Sequence, residues 1–250
     1  ENVPGETKDH PHQKSFWTAW GDVNGTDNWS ELERGHGTIK TTAVAILENG
    51  PVRGKVALAL DWLSDKGAKQ MVENRELTYY QLPGGDSIVD LKVVFKATNG
   101  DIKFGDTKEG GICSIRVASS MDAKLNGTIV NAYGGIGEDE TWGKRAAWCD
   151  YYGPVPGGVA GICIMDHPDN YCYPTYWHVR NYGLMTANPF GLSYFHNNPA
   201  RDGSLVLKNG ETLTFQYRVF FHAGDTKQAA VAERYHDYIN PPKAAIAAEA

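Results

Sequence analysis

Four groups of residues in this chain combine side-chain types and spacings suited to chemistry. The first is Asp9-His10-Pro11-His12, followed by Phe16, Trp17 and Trp20. Two imidazoles one residue apart can chelate a divalent metal, or set a base beside an orienting carboxylate. The second is the charged turn Phe104-Gly105-Asp106-Thr107-Lys108-Glu109-Gly110. There the Lys108 ammonium would lower the Glu109 pKa and burial would raise it, so Glu109 is a candidate tuned acid or base. The third runs from Trp142 to Gly153 and gathers Trp142, Lys144, Arg145, Trp148 and Tyr151. Flat rings suit the apolar face of a sugar, and charged groups suit its hydroxyls. The fourth joins Asp166 and His167 to Trp177-His178-Val179-Arg180-Asn181-Tyr182 and to Asn188. Read as a strand, 177–182 turns Trp177, Val179 and Asn181 one way and His178, Arg180 and Tyr182 the other. That second face could supply a proton donor, an acceptor and a hydroxyl or anion clamp.

Each group also has a plainer reading. The histidines can be surface or satisfied structural residues, the Lys108-Glu109 pair a solvated turn, and the rings of 142–153 core aromatics with charges around them.

The elements that must position these groups are strands. From Ile39 onward, strand-like runs alternate with Gly-rich turns, and Asn49-Gly50, Asn99-Gly100 and Asn209-Gly210 suit two-residue hairpins. Thr212 to Phe221 has nearly strict period two, with Leu213, Phe215, Tyr217, Val219 and Phe221 on one face. Leu91, Val93, Phe95 and Ala97 form another inward set, and faces of this kind need a second sheet to cover them. One helix is expected over about 226–240, capped by Asp225 or Thr226 and stopped by Asn240-Pro241-Pro242. Two stretches break the strand pattern, 9–37 and 141–198, and these read as long site-bearing loops. The expected fold is all-β: a large antiparallel β-sandwich with one C-terminal helix, in a single domain over residues 1–250.

Composition removes several classes of function. The net charge of −6 over 250 residues, with no basic run, argues against nucleic acid as a partner. No apolar stretch reaches the length of a membrane helix, so no membrane insertion is expected. The four cysteines have no C-x-x-C spacing and read as buried thiols, with one disulfide left open. A Ser or Cys nucleophile motif, a Walker loop and a dinucleotide fingerprint are all missing. The chain opens at Glu1 without Met, which leaves room for a removed leader, pro-segment or N-terminal strand.

The strings DHPHQKSFWTAWGDVNG, FGDTKEGG, WGKRAAWCDYYGP, DHP and WHVRNYGLMTANPFG resemble a bacterial domain family of unknown function that commonly carries the label "methane oxygenase PmoA". They span Asp9 to Gly191. Members usually have residues ahead of this motif and usually read DHPHH, where this chain has Gln13. A particulate methane monooxygenase subunit is a membrane protein, so that activity is not expected of a chain without a membrane span. The resemblance implies instead a sandwich similar to galactose mutarotases, a fold that hosts sugar epimerases, lyases and hydrolases.

Together these readings point to a periplasmic or extracellular carbohydrate-active protein with a sugar or glycan ligand, of unspecified oligomeric state. His12, Glu109, Asp166 and His178 are the candidate catalytic residues. Trp20, Trp142, Lys144, Arg145, Trp148, Tyr151, Trp177, Arg180 and Asn188 are candidate ligand contacts. This reading requires no cofactor. An alternative reading is a metal-dependent enzyme whose divalent ion is held by His10, His12 and His178. A third is a non-catalytic glycan-binding domain that uses the tryptophans as platforms.

Overall fold

The computed structural model describes residues 6–31 and 35–241. The chain forms strands β1 (Phe16–Trp20), β2 (Thr38–Asn49), β3 (Arg53–Leu63), β4 (Lys69–Gln81) and β5 (Ser87–Ala97). β6 (Ile102–Phe104), β7 (Gly110–Arg116) and β8 (Thr128–Asn131) follow, then the short helix α1 (Gly137–Thr141). The second half holds β9 (Trp148–Val155), β10 (Gly158–Asp166), β11 (Tyr176–Val179), β12 (Leu184–Asn188) and the short helix α2 (Leu192–Phe195). Last come β13 (Leu205–Leu207), β14 (Thr212–Ala223) and helix α3 (Val231–Ile239).

The strands form an antiparallel sandwich. One sheet has eight strands in the order β2-β3-β4-β5-β14-β10-β9-β8, and the other has four in the order β1-β7-β12-β11. β13 and β6 make a separate two-stranded ribbon. Alternation along each strand fills the space between the sheets. Leu91, Val93 and Phe95 of β5 and Phe215, Tyr217 and Val219 of β14 meet Cys113, Ile115, Trp177, Val179, Met185 and Ala187 of the smaller sheet. Trp20, Phe104 and Phe190 close one part of this core, Phe190 lying edge-on to Trp20 at 5.0 Å and stacked on Phe104 at 5.2 Å. The outer face of the larger sheet is covered by α3, whose Val231 and Tyr235 pack on Ile88, Trp148, Cys163, Met165 and Phe220.

Several local expectations change. Only Asn49-Gly50 makes a hairpin. At Asn99-Gly100 and Asn209-Gly210 the chain leaves and re-enters the larger sheet for the β13-β6 ribbon, and the two turns hold each other through Gly100 N–H to Asn209 Oδ1, 3.2 Å. The stretch 141–198 is not loop: it contains β9 to β12, and its aromatic density reflects faces pointing into both packed layers. The helix starts at Val231 rather than at 226, because Ala230 has left-handed backbone angles (φ 52°) and Thr226 spends its hydroxyl on Asp150 Oδ2 at 2.6 Å. All four cysteines are free thiols, three of them buried. Among the described residues no helix is long and apolar enough to cross a membrane.

The same Asp150 receives His222 Nε2 at 3.0 Å, and both side chains are shut off from water. Burial disfavours the imidazolium, but the hydrogen bond and charge of Asp150 outweigh it, and the His222 pKa ends above its usual 6.5. The folded state therefore holds this proton more tightly than the unfolded chain. Its contribution to stability is complete below about pH 6.5 and is lost as pH rises through the folded pKa. Asp150→Asn should cost about 3 kcal/mol or more in urea unfolding at pH 6, and the gap to wild type should narrow at pH 9. A gap independent of pH would contradict this assignment.

Candidate functional site

In the four-stranded sheet, the residues between the core-facing ones point away from the core. Trp17 of β1 pairs with Ser114 of β7, Ser114 with Thr186 of β12, and Thr186 with His178 of β11. These four side chains form one row across the outer face, about 14 Å long over three interstrand steps. Ser114 and Thr186 are fully buried, their hydroxyls 2.5 Å apart. Gly111 lies so close to both that any side chain there would collide with them.

The segment 9–13 lies against this face. His10 stacks on Tyr182 at 4.9 Å and meets His12 edge-on at 5.8 Å; His12 in turn approaches Trp29 at 6.0 Å. Arg116, at the end of β7, pins the segment by bonding Asp9 (2.9 Å) and Gln13 (2.6 Å) while its guanidinium lies over Tyr182. Gln13 also hydrogen-bonds Tyr182. The Gln13 amide thus bridges an arginine and a tyrosine. On the far side Arg180 pairs with Glu138 at 3.2 Å and also approaches the Tyr182 ring.

The Lys108-Glu109 turn joins the same neighbourhood. Its shape is set by Asn188, fully buried, whose Nδ2 donates to the carbonyls of Thr107, Lys108 and Gly110 and whose Oδ1 accepts from Phe190 and Gly191. Lys108 and Glu109 form an ion pair with each other. Their charges reach different histidines: Glu109 acts on His12, and Lys108 on His178.

The two histidines are held neutral by different surroundings. His178 is buried, and its pKa is pushed down to about 3 by burial first and then by Lys108 and Arg180. Trp142 Nε1 donates to its Nδ1 at 2.9 Å. An indole N–H only donates, so the neutral ring must carry its proton on Nε2. His178 is therefore a fixed hydrogen-bond donor, not a free base. His12 is half-buried; burial, then the charge of His10, lower its pKa below 6.5 against the opposing pull of Glu109, Asp27 and Glu31. It is unprotonated at neutral pH and able to accept a proton.

Beyond His12 a cavity of about 490 Å³ opens between β1, the segment 28–31 and the start of β2, a volume suited to a small ligand. Trp17, Asn28, Trp29 and His36 are among its lining residues. Trp17 Nε1, Trp29 Nε1 and Asn28 Oδ1 are buried and have no hydrogen-bond partner among the described residues. Unpaired buried polar atoms are costly, and these two donors and one acceptor belong to residues that line the cavity, so a shift of their side chains toward a ligand rich in hydroxyls would pair them.

Of the sequence-derived candidates, the fold gathers His10, His12, Glu109, Trp142, His178 and Arg180 on this face, while others lie elsewhere. Asp166 is enclosed between the sheets, bonded by Asn170 Nδ2 (2.7 Å) and Thr175 N–H (2.8 Å); burial raises its pKa to about 7. The four-stranded sheet separates it from His178. Trp20, Tyr151 and Trp177 are fully buried in the main core, with their polar atoms on backbone groups, and Trp148 packs under α3. None of these four rings lines the cavity beside His12. Asn188 shapes the Lys108-Glu109 turn from the interior. Arg145 is exposed but ties down the carbonyls of 172–174, and Lys144 is solvent-exposed. Asn28, Trp29 and Arg116 are the additions, while Trp17 and Tyr182, which belong to the first and fourth groups, join the face without having been among the candidate ligand contacts. Period two from Phe16, which faces the core, would have turned Trp17 outward.

The metal reading asks His10, His12 and His178 to converge. Among the described residues no three His, Cys, Asp or Glu side chains are arranged to hold an ion. His178 Nδ1 is already occupied by Trp142.

This arrangement makes a specific spectroscopic prediction. Nitrogen-15 NMR should show His178 as the neutral Nε2–H tautomer from pH 5 to 8, and Trp142→Phe should alter the Nδ1 shift. Because the unfolded ring protonates near pH 6.5 and the folded ring only near pH 3, stability should fall as pH drops below about 6.5. A protonated His178 at pH 6 would contradict the assignment.

Known proteins add little to this geometry. A search of curated proteins finds no match. Among solved structures, a GalM/aldose epimerase homologue from C. elegans is similar at 9% identity with a TM-score of 0.31, covering 73% of this chain and 69% of that one. A family model matches residues 3–236, and its description names no function and carries no oxygenase label. With nearly its whole length matched, the chain belongs to DUF6807, a family of unknown function.

Proposed function

We propose that the protein is a carbohydrate-active enzyme that binds a glycan or glycoside on the outer face of the four-stranded sheet and acts on it by proton transfer to His12. The carrying observation is the cavity beside His12, where two indole N–H donors and an amide oxygen are buried without partners next to flat aromatic rings. Sugars present an apolar ring face edged by hydroxyls, and this lining answers both.

The chemistry follows from which groups are free. A neutral His12 takes a proton from carbon or hydroxyl of the ligand, and the resulting imidazolium is stabilised by the nearby charges of Glu109, Asp27 and Glu31. These carboxylates are themselves engaged: Glu109 with Lys108, Asp27 with the N–H groups of Trp29 and Ser30, and Glu31 with Lys14. An imidazole acceptor among engaged carboxylates favours proton abstraction, as in epimerisation or elimination, over hydrolysis by two free carboxyl groups. His178 stands at the far end of the row from Trp17, whose side chain lines the cavity. Its Nε2–H serves as a hydrogen-bond donor to a more distant part of an extended ligand. The reading requires no cofactor.

His12→Ala should reduce turnover of an identified glycan at least about 100-fold while leaving binding within a few-fold. Trp29→Phe, which removes the indole N–H but keeps a ring in this buried position, should weaken binding about tenfold with the fold intact. The rate should rise with pH through a pKa below 6.5 and level off above it, since His12 works unprotonated. Binding without any product, unaffected by His12→Ala, would replace the enzyme with a glycan-binding domain.

A further inference from the structure

We propose that two copies of this chain pair edge to edge through β2, antiparallel about a two-fold axis at Val44, so that their eight-stranded sheets join into one. β2 is the outermost strand of its sheet and pairs only with β3. Apart from half-buried Ile39 it is exposed along its whole length. Val44, Ile46 and Leu47 are 63%, 71% and 52% exposed, with Val52 of the adjoining turn at 63%. An open strand edge flanked by apolar side chains invites another strand, and proteins that must stay single usually block it with proline or with charges along its middle. The middle of β2 reads Ala43-Val44-Ala45-Ile46-Leu47, without either.

The occupant is argued from self-complementarity. Pairing with β3 sets Val44 and Ile46 on the core-facing side of the sheet, opposite Leu58 and Val56, and Lys40, Ala43, Ala45 and Glu48 on the other side. Antiparallel pairing of two β2 strands about Val44 then places Ala43 opposite Ala45 and Lys40 of each copy opposite Glu48 of the other, every pair on a common face as the pleat demands. Lys40 has no ion-pair partner of its own among the described residues, while Glu48 meets Arg53 at 3.2 Å and stays exposed. β2 also carries two bulges, one between Thr41 and Ala43 and one between Ile46 and Glu48. They lie two and three residues from the axis, so Thr42 of one copy falls opposite Ile46 of the other and Thr41 opposite Leu47, and with one extra residue on each side the register is back in step at Lys40 and Glu48. One sequence thus supplies the apolar centre and the opposite charges at matching distances. These are the requirements of an isologous interface.

Sedimentation equilibrium of the full chain through the micromolar range tests this. Wild type should be a dimer. Val44→Asp, which sets two carboxylates face to face at the axis, should give monomers. Glu48→Lys should weaken the dimer about tenfold by turning two attractive pairs into repulsive ones, and the Lys40→Glu/Glu48→Lys double variant should restore it. Circular dichroism should be unchanged throughout, since these side chains are exposed. A monomeric wild type would overturn the proposal and leave the edge to a partner of another kind. A dimer that survives both Val44→Asp and Glu48→Lys would overturn it by placing the interface elsewhere.

Discussion

Successive side chains of a strand leave opposite faces, so the register of β7, β12 and β11 assigns two roles at once. Cys113, Ile115, Met185, Ala187, Trp177 and Val179 go inward to the sandwich core, and Ser114, Thr186 and His178 go outward to the candidate site. A slip of one residue in any of these strands would bury a histidine or hydroxyl among Phe and Trp rings and expose the apolar set. The energy that fixes the row is therefore the burial of the residues between its members. Packing of the large aromatic side chains in that core, worth several kcal/mol for each ring, holds the geometry of the polar face.

The loops over that face are pinned by polar groups that cannot be left unpaired. Asn188 spends its side-chain amide on five backbone groups around the Lys108-Glu109 turn. Arg116 holds segment 9–13 through Asp9 and Gln13, and Trp142 fixes the tautomer of His178. In contrast, residues lining the cavity beside His12 hold three of the eight buried side-chain atoms left without a hydrogen bond among the described residues, the other five being spread over His10, Gln70, Asp122 and Tyr217.

Much of the fold was legible because period-two alternation in segments such as Thr212 to Phe221 has one physical meaning. The grouping of the candidate site was legible where a residue type contradicted its surroundings: a histidine alternating with Trp177 and Val179, or a Lys-Glu pair in a Gly-rich turn. It was not legible where the signal was density of aromatics. Trp148, Tyr151 and Trp177 cluster in sequence because their strands feed two packed layers, so their rings are core. Asp166 looked like a partner for His178 because both lie beside aromatic motifs, but sequence proximity carries no information about which side of a sheet a residue occupies. Trp29 gains its place from a packing of distant segments that no local pattern encodes.

The central claim is that a hydroxyl-rich ligand completes the cavity beside His12. Seven tryptophans give the protein seven indole N–H probes, of which Trp17 and Trp29 line that cavity and Trp20, Trp62 and Trp177 are locked in the core. The most direct measurement is the nitrogen-15 spectrum of these indoles during titration with an oligosaccharide that binds. The account predicts that the Trp17 and Trp29 signals move downfield as they gain hydrogen bonds, while those of the three core tryptophans stay in place. Saturable binding that leaves Trp17 and Trp29 unmoved would contradict it.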